Sequence, residues 1–347
     1  MNLGFTLEQI TTVINGKREF SNDSLSSIQR ITSLEKATPN DLAVILDRGN
    51  ASVFDQLSLD KITSSNAGVF IATRAIVPGK NYILVDDALA AFNTLIALAK
   101  KTELETHAAL PDSDRSNITV GRNAVIEPSA TIGQHTTVSA LCYIGKHCTI
   151  GTNVILHPSV TILDHCVVGD YSIIHAGTVV GSDGFGYQVN ATGLRKIPQI
   201  GNVVIGKGVE IGANCSIDRA TFDATIISDG VKIDNNVHIA HNVFVGQSSV
   251  ILAQTAIAGS ARIGIGCQIG GQVAIKDNVV LGDGVKVVSK SGVLTDIAAG
   301  QTVAGIPAIP FNDWKRLTVI FKKLPELYKQ TQQPKPRPSF FKFLFGK

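Results

Sequence analysis

The chain has 347 residues, of which 44% are hydrophobic, 17% charged and 6% aromatic, and its formal net charge is +3. This length suffices for two or three domains, and the apolar content excludes an intrinsically disordered protein. The near-neutral charge argues against a general nucleic-acid-binding protein, so we expect no nucleic-acid partner. The first ten residues lack the features of a signal peptide, and no apolar run reaches the roughly 18 residues of a membrane span. We therefore expect a cytoplasmic protein.

Residues 1–110 are predicted to form a small α/β domain. The sequence predicts two helices, one of them amphipathic, and three strands between them. The helices are expected at Leu7–Asn15 and Ala88–Lys101, and the strands at Leu42–Leu46, Val69–Ala72 and Tyr82–Val85.

Residues 111–303 repeat with a period of six. An aliphatic residue occupies every sixth position over 120–180, 205–217 and 227–293, which gives 26 hexads, and the repeat breaks at 184–199. Each hexad is interpreted as a short extended segment and a corner, where glycine is favoured because it tolerates positive φ. Three hexads close one triangular coil. The repeat therefore predicts a parallel β-helix of eight to nine coils, stabilised by stacking between neighbouring coils.

Residues 304–347 follow the repeat and carry the positive charge, with nine basic residues and one acidic residue over Lys315–Lys347. A helix interrupted near Pro325 is predicted over Asn312–Lys329, followed by a Pro-rich tail. The segment Ser339–Phe345 interleaves four Phe with Lys. Two interpretations of it stay open: contact with a membrane surface, or packing on the protein.

All five cysteines lie two residues before an aliphatic anchor, a position that small residues fill elsewhere in the repeat. We predict small buried thiols. The odd number and the expected cytoplasmic location argue against a disulfide. These residues are Cys142, Cys148, Cys166, Cys215 and Cys267.

Two pairs of histidines are spaced by one coil: His157 with His175, and His147 with His165. Two imidazoles on adjacent coils can share Zn²⁺, as in the β-helical carbonic anhydrases, which keeps a zinc-dependent hydratase open as an alternative. A catalytic zinc needs three convergent ligands, and no third histidine is placed for it. We therefore predict no metal site, and interpret the pairs as a solvated or hydrogen-bonded ladder.

A separate cluster lies at Ile233–Asn242. Asp234 comes one residue after an anchor, and His241 comes two residues after the next anchor, with His238 between them. A histidine with a carboxylate to orient it is a candidate general base.

Three stretches, Gly181–Tyr187, Lys196–Gly201 and Ile217–Asn242, closely resemble the UDP-3-O-acyl-glucosamine N-acyltransferases of lipid A biosynthesis, a family of hexapeptide-repeat enzymes. The resemblance covers about residues 100–317. It implies a mainly β fold, a left-handed parallel β-helix with a small N-terminal α/β domain and a C-terminal helical extension. It also implies a homotrimer with active sites between neighbouring β-helices.

The reaction implied is transfer of a (R)-3-hydroxyacyl chain to the 2-amino group of a UDP-linked 3-O-acyl-glucosamine. The donor is acyl carrier protein, which holds the chain on its 4′-phosphopantetheine, and no further cofactor is implied. The basic C-terminal segment suits an acidic carrier protein. A lipid-bearing product is consistent with contact between the C-terminal tail and the inner face of the membrane.

By this resemblance, His241 is the general base, Asp234 orients its imidazole, and the amide N–H of Gly259 stabilises the oxyanion. A backbone N–H at a small residue can approach such an oxygen closely. The residues implied in substrate binding are Asn235, His238, Asn242, Phe185, Tyr187, Gln199 and Asn278.

Two stretches depart from the family pattern. Residues 42–50 contain none of the aromatic residues that hold the uridine in the family, and Asp277–Asn278 stands where the family has a Gly-His pair. Asn278 can form hydrogen bonds but carries no proton at neutral pH. These differences keep a second hypothesis open, acyl transfer to another amino- or hydroxy-sugar.

Overall fold

The computed structural model describes residues 2–20, 27–46, 56–106, 117–190 and 193–332. The Phe-rich segment Ser339–Phe345 and the second half of the stretch 42–50 lie outside these ranges. The described residues form an N-terminal α/β unit, a long parallel β-helix and a C-terminal helix, so the predicted fold class is confirmed.

The N-terminal unit is a six-stranded sheet with three helices. Its elements are β1 (Asn2–Thr6), α1 (Leu7–Val13), β2 (Lys17–Glu19), β3 (Ser27–Ile31), β4 (Asp41–Val44), α2 (Gln56–Ser64), β5 (Val69–Ala72), β6 (Tyr82–Leu84) and α3 (Ala88–Thr106). The strand order is β1-β3-β4-β5-β6-β2. All five elements expected from the sequence are present. The remaining strands and α2 are short or mostly exposed, so they leave a weak hydrophobic pattern.

Short strands follow one another at the period of the repeat. They are β7 (Thr119–Val120), β8 (Val125–Ile126), β9 (Thr131–Ile132), β10 (Thr137–Val138), β11 (Tyr143–Ile144), β12 (Thr149–Ile150), β13 (Ile155–Leu156), β14 (Thr161–Ile162), β15 (Val167–Val168), β16 (Ile173–Ile174), β17 (Val179–Ser182), then, beyond the hairpin of β18 (Tyr187–Asn190) and β19 (Gly193–Lys196), β20 (Asn202–Ile205), β21 (Glu210–Ile211), β22 (Ser216–Asp218), β23 (Ala224–Ile227), β24 (Lys232–Ile233), β25 (His238–Ile239), β26 (Phe244–Val245), β27 (Val250–Ile251), β28 (Ala256–Ile257), β29 (Arg262–Ile263), β30 (Gln268–Ile269), β31 (Ala274–Ile275), β32 (Val280–Leu281), β33 (Lys286–Val287), β34 (Gly292–Val293) and β35 (Thr302–Ala304).

These strands form the three faces of the β-helix, because every strand pairs in parallel with the strand one coil away. In regular coils the partners are 18 residues apart, as with Val138 and Leu156. Among the described residues, the longest face holds ten parallel strands, from β7 to β35. The last of them, β35, lies beyond the hexads counted in the sequence.

The aliphatic anchors point into the β-helix. From Val138 to Val293 none of them is more than 3% exposed, and each fully buried side chain contributes about 1.5–3 kcal/mol. Val120 is 45% exposed because no coil precedes it in the described part of the chain. The interpretation of the hexads is therefore confirmed in detail.

The five cysteines are buried and free, as predicted. Burial raises the pKa of the Cys148 thiol to about 12. A thiol that stays protonated is a poor nucleophile, so these side chains contribute packing rather than chemistry.

The two irregularities of the repeat both contact the N-terminal unit. The first is the hairpin of β18 and β19, with the segment that follows it: Ile197 and Ile200 pack on the N-terminal core, and Arg195 forms an ion pair with Asp87. The second is the four-residue slip before Ile227, where the rings of Phe222 and Phe92 pack in a tilted arrangement with their centroids 5.4 Å apart.

Asp223, beside Phe222, completes this contact. Its carboxylate accepts hydrogen bonds from Thr32 Oγ1 at 3.0 Å and from Ser33 Oγ at 2.6 Å. The breaks in the repeat thus hold the N-terminal unit against the middle of the β-helix, and the first break also delivers residues to the site described below.

A short strand β36 (Ile309–Pro310) pairs antiparallel with β35 and leads into helix α4 (Phe311–Gln332). The predicted interruption near Pro325 is wrong, since α4 continues through it. Proline removes one backbone donor, and this stretch of helix is exposed, so the carbonyl that loses its partner is open to solvent. No helix in the described ranges combines the length and apolarity needed to cross a membrane.

Candidate active site

The corner after β25 carries His241. Ile239 is fully buried and fixes the corner, and Asn242 adopts a left-handed conformation with φ of 62°. Asparagine tolerates this conformation better than most residues. The backbone N–H of Asn242 also donates to Thr225 Oγ1 at 2.9 Å, which ties the corner to the preceding coil. His241 therefore projects from a rigid position at the edge of the β-helix.

The imidazole of His241 lies between two glycines. A Cβ atom at Gly184, in the first break of the repeat, would lie 2.5 Å from His241 Cβ. A Cβ atom at Gly259, one coil below, would lie 2.7 Å from both Cε1 and Nε2 of the ring. Since real Cβ contacts are longer than this, the ring fits only because both positions lack a side chain.

Hydrogen bonds define which nitrogen of His241 carries the proton. Nδ1 lies 3.0 Å from Asn242 Oδ1, and that oxygen also accepts from the backbone N–H of Thr221 at 3.2 Å. The Thr221 N–H can only donate, so the oxygen of the Asn242 amide faces both groups. His241 Nδ1 must then be the donor, which leaves the lone pair on Nε2, the nitrogen next to Gly259.

Gln199 anchors this network from the first break. Its side chain is buried, receives a hydrogen bond from Thr221 Oγ1 at 3.0 Å, and donates to the Ile197 carbonyl at 3.1 Å. The resemblance implies that Gln199 contacts substrate; in the structure its side chain is only 6% exposed. It holds the loop that carries Gly184 against the His241 corner.

Asp234 does not contact His241 within one chain. It lies on the preceding corner, where its carboxylate accepts from the backbone N–H groups of Asn235 at 2.7 Å and Ala253 at 3.2 Å. Within one chain the partner of His241 Nδ1 is Asn242, the next residue, whose side chain lies at the same corner. Asn235 is exposed and accepts from the Ala213 amide at 2.7 Å.

The backbone N–H of Gly259 has no acceptor among the described residues. At equivalent corners of other coils, the corresponding backbone N–H donates to an aspartate 18 residues later. The N–H of Ile265, for example, donates to Asp283 Oδ1 at 2.7 Å. Asp277 occupies that position relative to Gly259, but it accepts from Asn278 Nδ2 at 2.8 Å instead. The Gly259 N–H is therefore free to donate, and it is adjacent to the imidazole of His241.

A second polar group lies on the same face. His238 is exposed, and its Nε2 is 3.7 Å from Oδ2 of Asp218, whose side chain is only 8% exposed. Ser182 Oγ donates to the other oxygen of Asp218 at 2.7 Å. Burial raises the pKa of Asp218 above its ordinary value, while the Ser182 hydrogen bond and the charges of His238 and His241 oppose that change.

Asp218 is absent from the site residues derived from the sequence. It lies in the stretch Ile217–Asn242 that carries the family resemblance, directly after an anchor. The sequence did offer a signal for Asp218: it is a carboxylate directly after an anchor, and His238 and His241 follow it one coil later. What the sequence does not show is that this side chain becomes buried between Ser182 and His238.

Two exposed aromatic rings stand beside the His241 corner. Phe185 is 81% exposed and Tyr187 is 43% exposed, with their ring centroids 4.9 Å apart. Since Gly184 touches His241, these rings lie at the edge of the same site.

The outward positions in register below His238 carry small side chains. In register beneath it stand Ala256, Ala274 and Gly292. Ile306 closes this strip, since a Cβ atom on Gly292 would meet its side chain at 3.2 Å. The result is a smooth apolar strip that starts at the histidines.

The paired histidines elsewhere in the β-helix form stacks. The rings of His157 and His175 lie 4.8 Å apart and nearly parallel, and His175 Nε2 is 3.1 Å from Glu210 Oε1. His147 and His165 stack at 5.0 Å. Within the described residues no three metal-ligating side chains converge. These pairs match the ladder interpretation.

The repeat and this corner define a hexapeptide-repeat transferase. Residues 129–164 and 147–182 match the family model described as bacterial transferase hexapeptide (six repeats). A solved structure described as UDP-N-acetylglucosamine acyltransferase aligns with a TM-score of 0.51 and 25% identity, covering 63% of this chain and 85% of that one.

Two curated relatives share nearly the full length. The UDP-3-O-acylglucosamine N-acyltransferase of Coxiella burnetii is 32% identical, covering 95% of this chain and 97% of that protein. The protein of the same name from Desulfotalea psychrophila is 35% identical, covering 95% of each. The chain belongs to the UDP-3-O-acylglucosamine N-acyltransferase family and is an N-acyltransferase.

Proposed function

We propose that this enzyme transfers a (R)-3-hydroxyacyl chain from acyl carrier protein to the 2-amino group of a UDP-linked 3-O-acyl-glucosamine, a step of lipid A biosynthesis. The observation that carries the proposal is the position of His241, whose Nε2 lone pair is adjacent to the free N–H of Gly259. Acyl transfer needs a base for the nucleophile and a donor for the oxyanion, and both are present at this corner.

The residues perform the transfer in two stages. As the amine nitrogen attacks the thioester carbonyl, His241 Nε2 takes a proton from it, and the carbonyl oxygen becomes an oxyanion that accepts from Gly259 N–H. The intermediate then collapses, the carbon–sulfur bond breaks, and the imidazolium returns its proton to the departing thiolate. The products are an amide and the free thiol of the carrier. A thioester is already activated, so the buried cysteines need no part in the reaction.

The surroundings of His241 provide places for the substrates. The apolar strip of Ala256, Ala274 and Gly292 suits an acyl chain, which has no hydrogen-bonding groups to satisfy. Phe185 and Tyr187 offer exposed rings for the acceptor, and Asn235, His238 and Asn278 offer polar contacts at exposed positions. Asn242 acts through His241 by holding its tautomer.

The carrier protein is proposed to dock near α4, which exposes five basic side chains: Lys315, Arg316, Lys322, Lys323 and Lys329. Because His241 lies on an outer edge of one β-helix, a neighbouring copy would enclose the substrates, in line with the homotrimer implied by the resemblance. The proposed location is the cytoplasm, with the C-terminal tail available for contact with the inner face of the membrane.

A second candidate is acyl transfer to another amino- or hydroxy-sugar. It is favoured by residues 42–45, which contain no aromatic ring and are less than 9% exposed, so they offer no stacking surface for uracil. The two candidates share one chemistry and differ only in the acceptor.

Incubation of the protein with 3-hydroxyacyl carrier protein and UDP-3-O-acyl-glucosamine tests the proposal. We expect an N-acylated product in mass spectrometry, with a preferred chain length across a panel of thioesters. Product formation with other amino-sugar nucleotides but none with this acceptor would favour the second candidate. Hydration of CO₂ by a zinc-loaded protein, without acyl transfer, would contradict both.

Replacing Asn242 by Asp tests the hydrogen bond to His241. The carboxylate would face Nδ1–H and stabilise the imidazolium relative to the neutral ring. Because the base must be neutral, the acid limb of the kcat/KM profile should move to higher pH by about 1–3 units. Asn236→Asp is the matched control, since Asn236 has φ of 57° on another corner. An unchanged acid limb in Asn242→Asp would show that this hydrogen bond does not tune the base.

A further inference from the structure

Two carboxylates are almost fully buried in the described part of the chain, Asp41 and Asp218. Asp41 is compensated by an arginine, since Arg30 donates to both of its oxygens at 2.8 and 3.0 Å. Asp218 has no such partner. A buried carboxylate is costly unless its charge is compensated, so the groups around Asp218 must provide what Arg30 provides for Asp41.

The polar groups around Asp218 come from three successive coils. Ser182 Oγ donates to Oδ1 at 2.7 Å, and Ser216 Oγ is 3.5 Å from the same oxygen. His238 Nε2 lies 3.7 Å from Oδ2. The cation next in sequence, Arg219, turns away and donates to the carbonyls of Gly181 and Asp164. Among the described residues, the groups near Asp218 that remain to carry compensating positive charge are the imidazoles of His238 and His241.

The β-helix brings Asp218 next to both imidazoles of the proposed active site. Ile217 and Ile239 are in register on adjacent coils, so Asp218 and Ala240 occupy equivalent corner positions. Coils are about 4.8 Å apart, and His241 directly follows Ala240. Burial raises the pKa of Asp218, and the charges of His238 and His241 are among the influences that oppose this change.

We propose that Asp218 is a positioning residue of the acyl transfer, whose buried carboxylate holds His238 at the entrance of the apolar strip and strengthens His241 as a base. The inference rests on the proposed function of His241. Ser182 supports it by donating to Asp218 and so favouring the charged carboxylate. The remaining charges nearby are directed elsewhere: Asp183 pairs with Lys196, and Arg219 Nε is 4.0 Å from Asp183.

Asp218→Asn tests this role, because asparagine keeps the shape and can still accept from Ser182. Without the negative charge, protonation of the imidazole becomes less favourable. The acid limb of the kcat/KM profile should then move to lower pH by about one unit. The plateau rate should fall roughly 3–10-fold, since a less basic imidazole is a weaker proton acceptor. The matched control is Asp170→Asn, which removes a carboxylate paired with Lys207 at another corner.

A readout without substrate separates this inference from the proposed function. In protein labelled at histidine Cε1, NMR titration should give lower pKa values for His238 and His241 in Asp218→Asn than in the unmodified chain. If the titration shifts but no acyl transfer occurs with the proposed substrates, the proposed function fails and the electrostatic role of Asp218 stands. Unchanged titration of both rings in a folded variant would overturn the inference.

Ser182→Ala is the second variant, and it leaves Asp218 in place. Loss of the hydroxyl donor makes the carboxylate easier to protonate, so the shift should have the same direction as in Asp218→Asn and be smaller. If Asp218→Asn fails to fold, a shift in Ser182→Ala still supports the inference. Absence of any shift in Ser182→Ala would then count against it.

Discussion

His241→Ala is expected to lower kcat/KM by about 10²–10⁴-fold, the usual contribution of a positioned general base. The amine would still meet the thioester beside the Gly259 N–H, so a residual rate above solution should remain. The variant is expected to fold, because His241 lies on an outer corner and its removal leaves the aliphatic anchors intact. Steady-state rates with 3-hydroxyacyl carrier protein and the UDP-aminosugar measure the effect.

The control for His241→Ala is His157→Ala, which removes an imidazole from the stack with His175 on another corner. It should keep near-normal turnover. Full activity in His241→Ala would refute the base, whereas equal losses in both variants would point to a general effect on the fold.

Gly259→Ala is expected to reduce kcat by about 10²–10³-fold, a loss comparable to removal of one oxyanion-hole donor. The new methyl group would lie 2.7 Å from Cε1 and Nε2 of His241, so the ring must move away from the position next to the N–H. The methyl group would also cover the space in which the oxyanion forms. The backbone of Gly259 has no left-handed φ, so alanine is tolerated and the melting temperature should change little.

Gly271→Ala is the matched control on another corner, two hexads further along, where the nearest atom to the new Cβ is the Ala253 carbonyl oxygen at 3.3 Å. This variant should retain most of its activity. Normal turnover in a folded Gly259→Ala protein would exclude the close packing of base and oxyanion donor.

The double variant tests whether the two groups act as one unit. Because Gly259→Ala acts partly by displacing His241, its cost should be smaller once the imidazole is gone. The combined loss should then be clearly less than the product of the two single losses. Independent, multiplying effects would mean that the methyl group blocks only the oxyanion position.

Nearly all of the β-helix could be predicted because its pattern is local, and of its described strands only β35 falls outside the hexads counted in the sequence. Each hexad places one aliphatic residue inward, and each coil packs only on its neighbours, so the period of six specifies the fold without any long-range information. The same locality made the cysteines predictable as buried thiols. Pro325 was misjudged because helix propensity alone does not show that water is available to replace the missing backbone donor.

The site was predictable in part. His241 and Gly259 follow from the motifs that the family resemblance carries, and both lie at the same corner. The role of Asp234 as the orienting group stays a prediction, and within one chain the partner of His241 Nδ1 is Asn242. Substrate contact by Gln199 also stays a prediction, and its side chain is buried in the structure.

The sequence by itself determined the solenoid, because its repeat depends on residues six or eighteen positions apart. The proposed base, His241, comes from the family resemblance. Only the tertiary structure decided which groups surround that base. Gly184 reaches His241, and Gln199 reaches Thr221, from a break that follows no repeat. Asp218 becomes a buried carboxylate only when the coils of Ser182 and His238 close around it. Such contacts depend on how irregular loops fold back onto a regular scaffold, and no period in the sequence encodes that path.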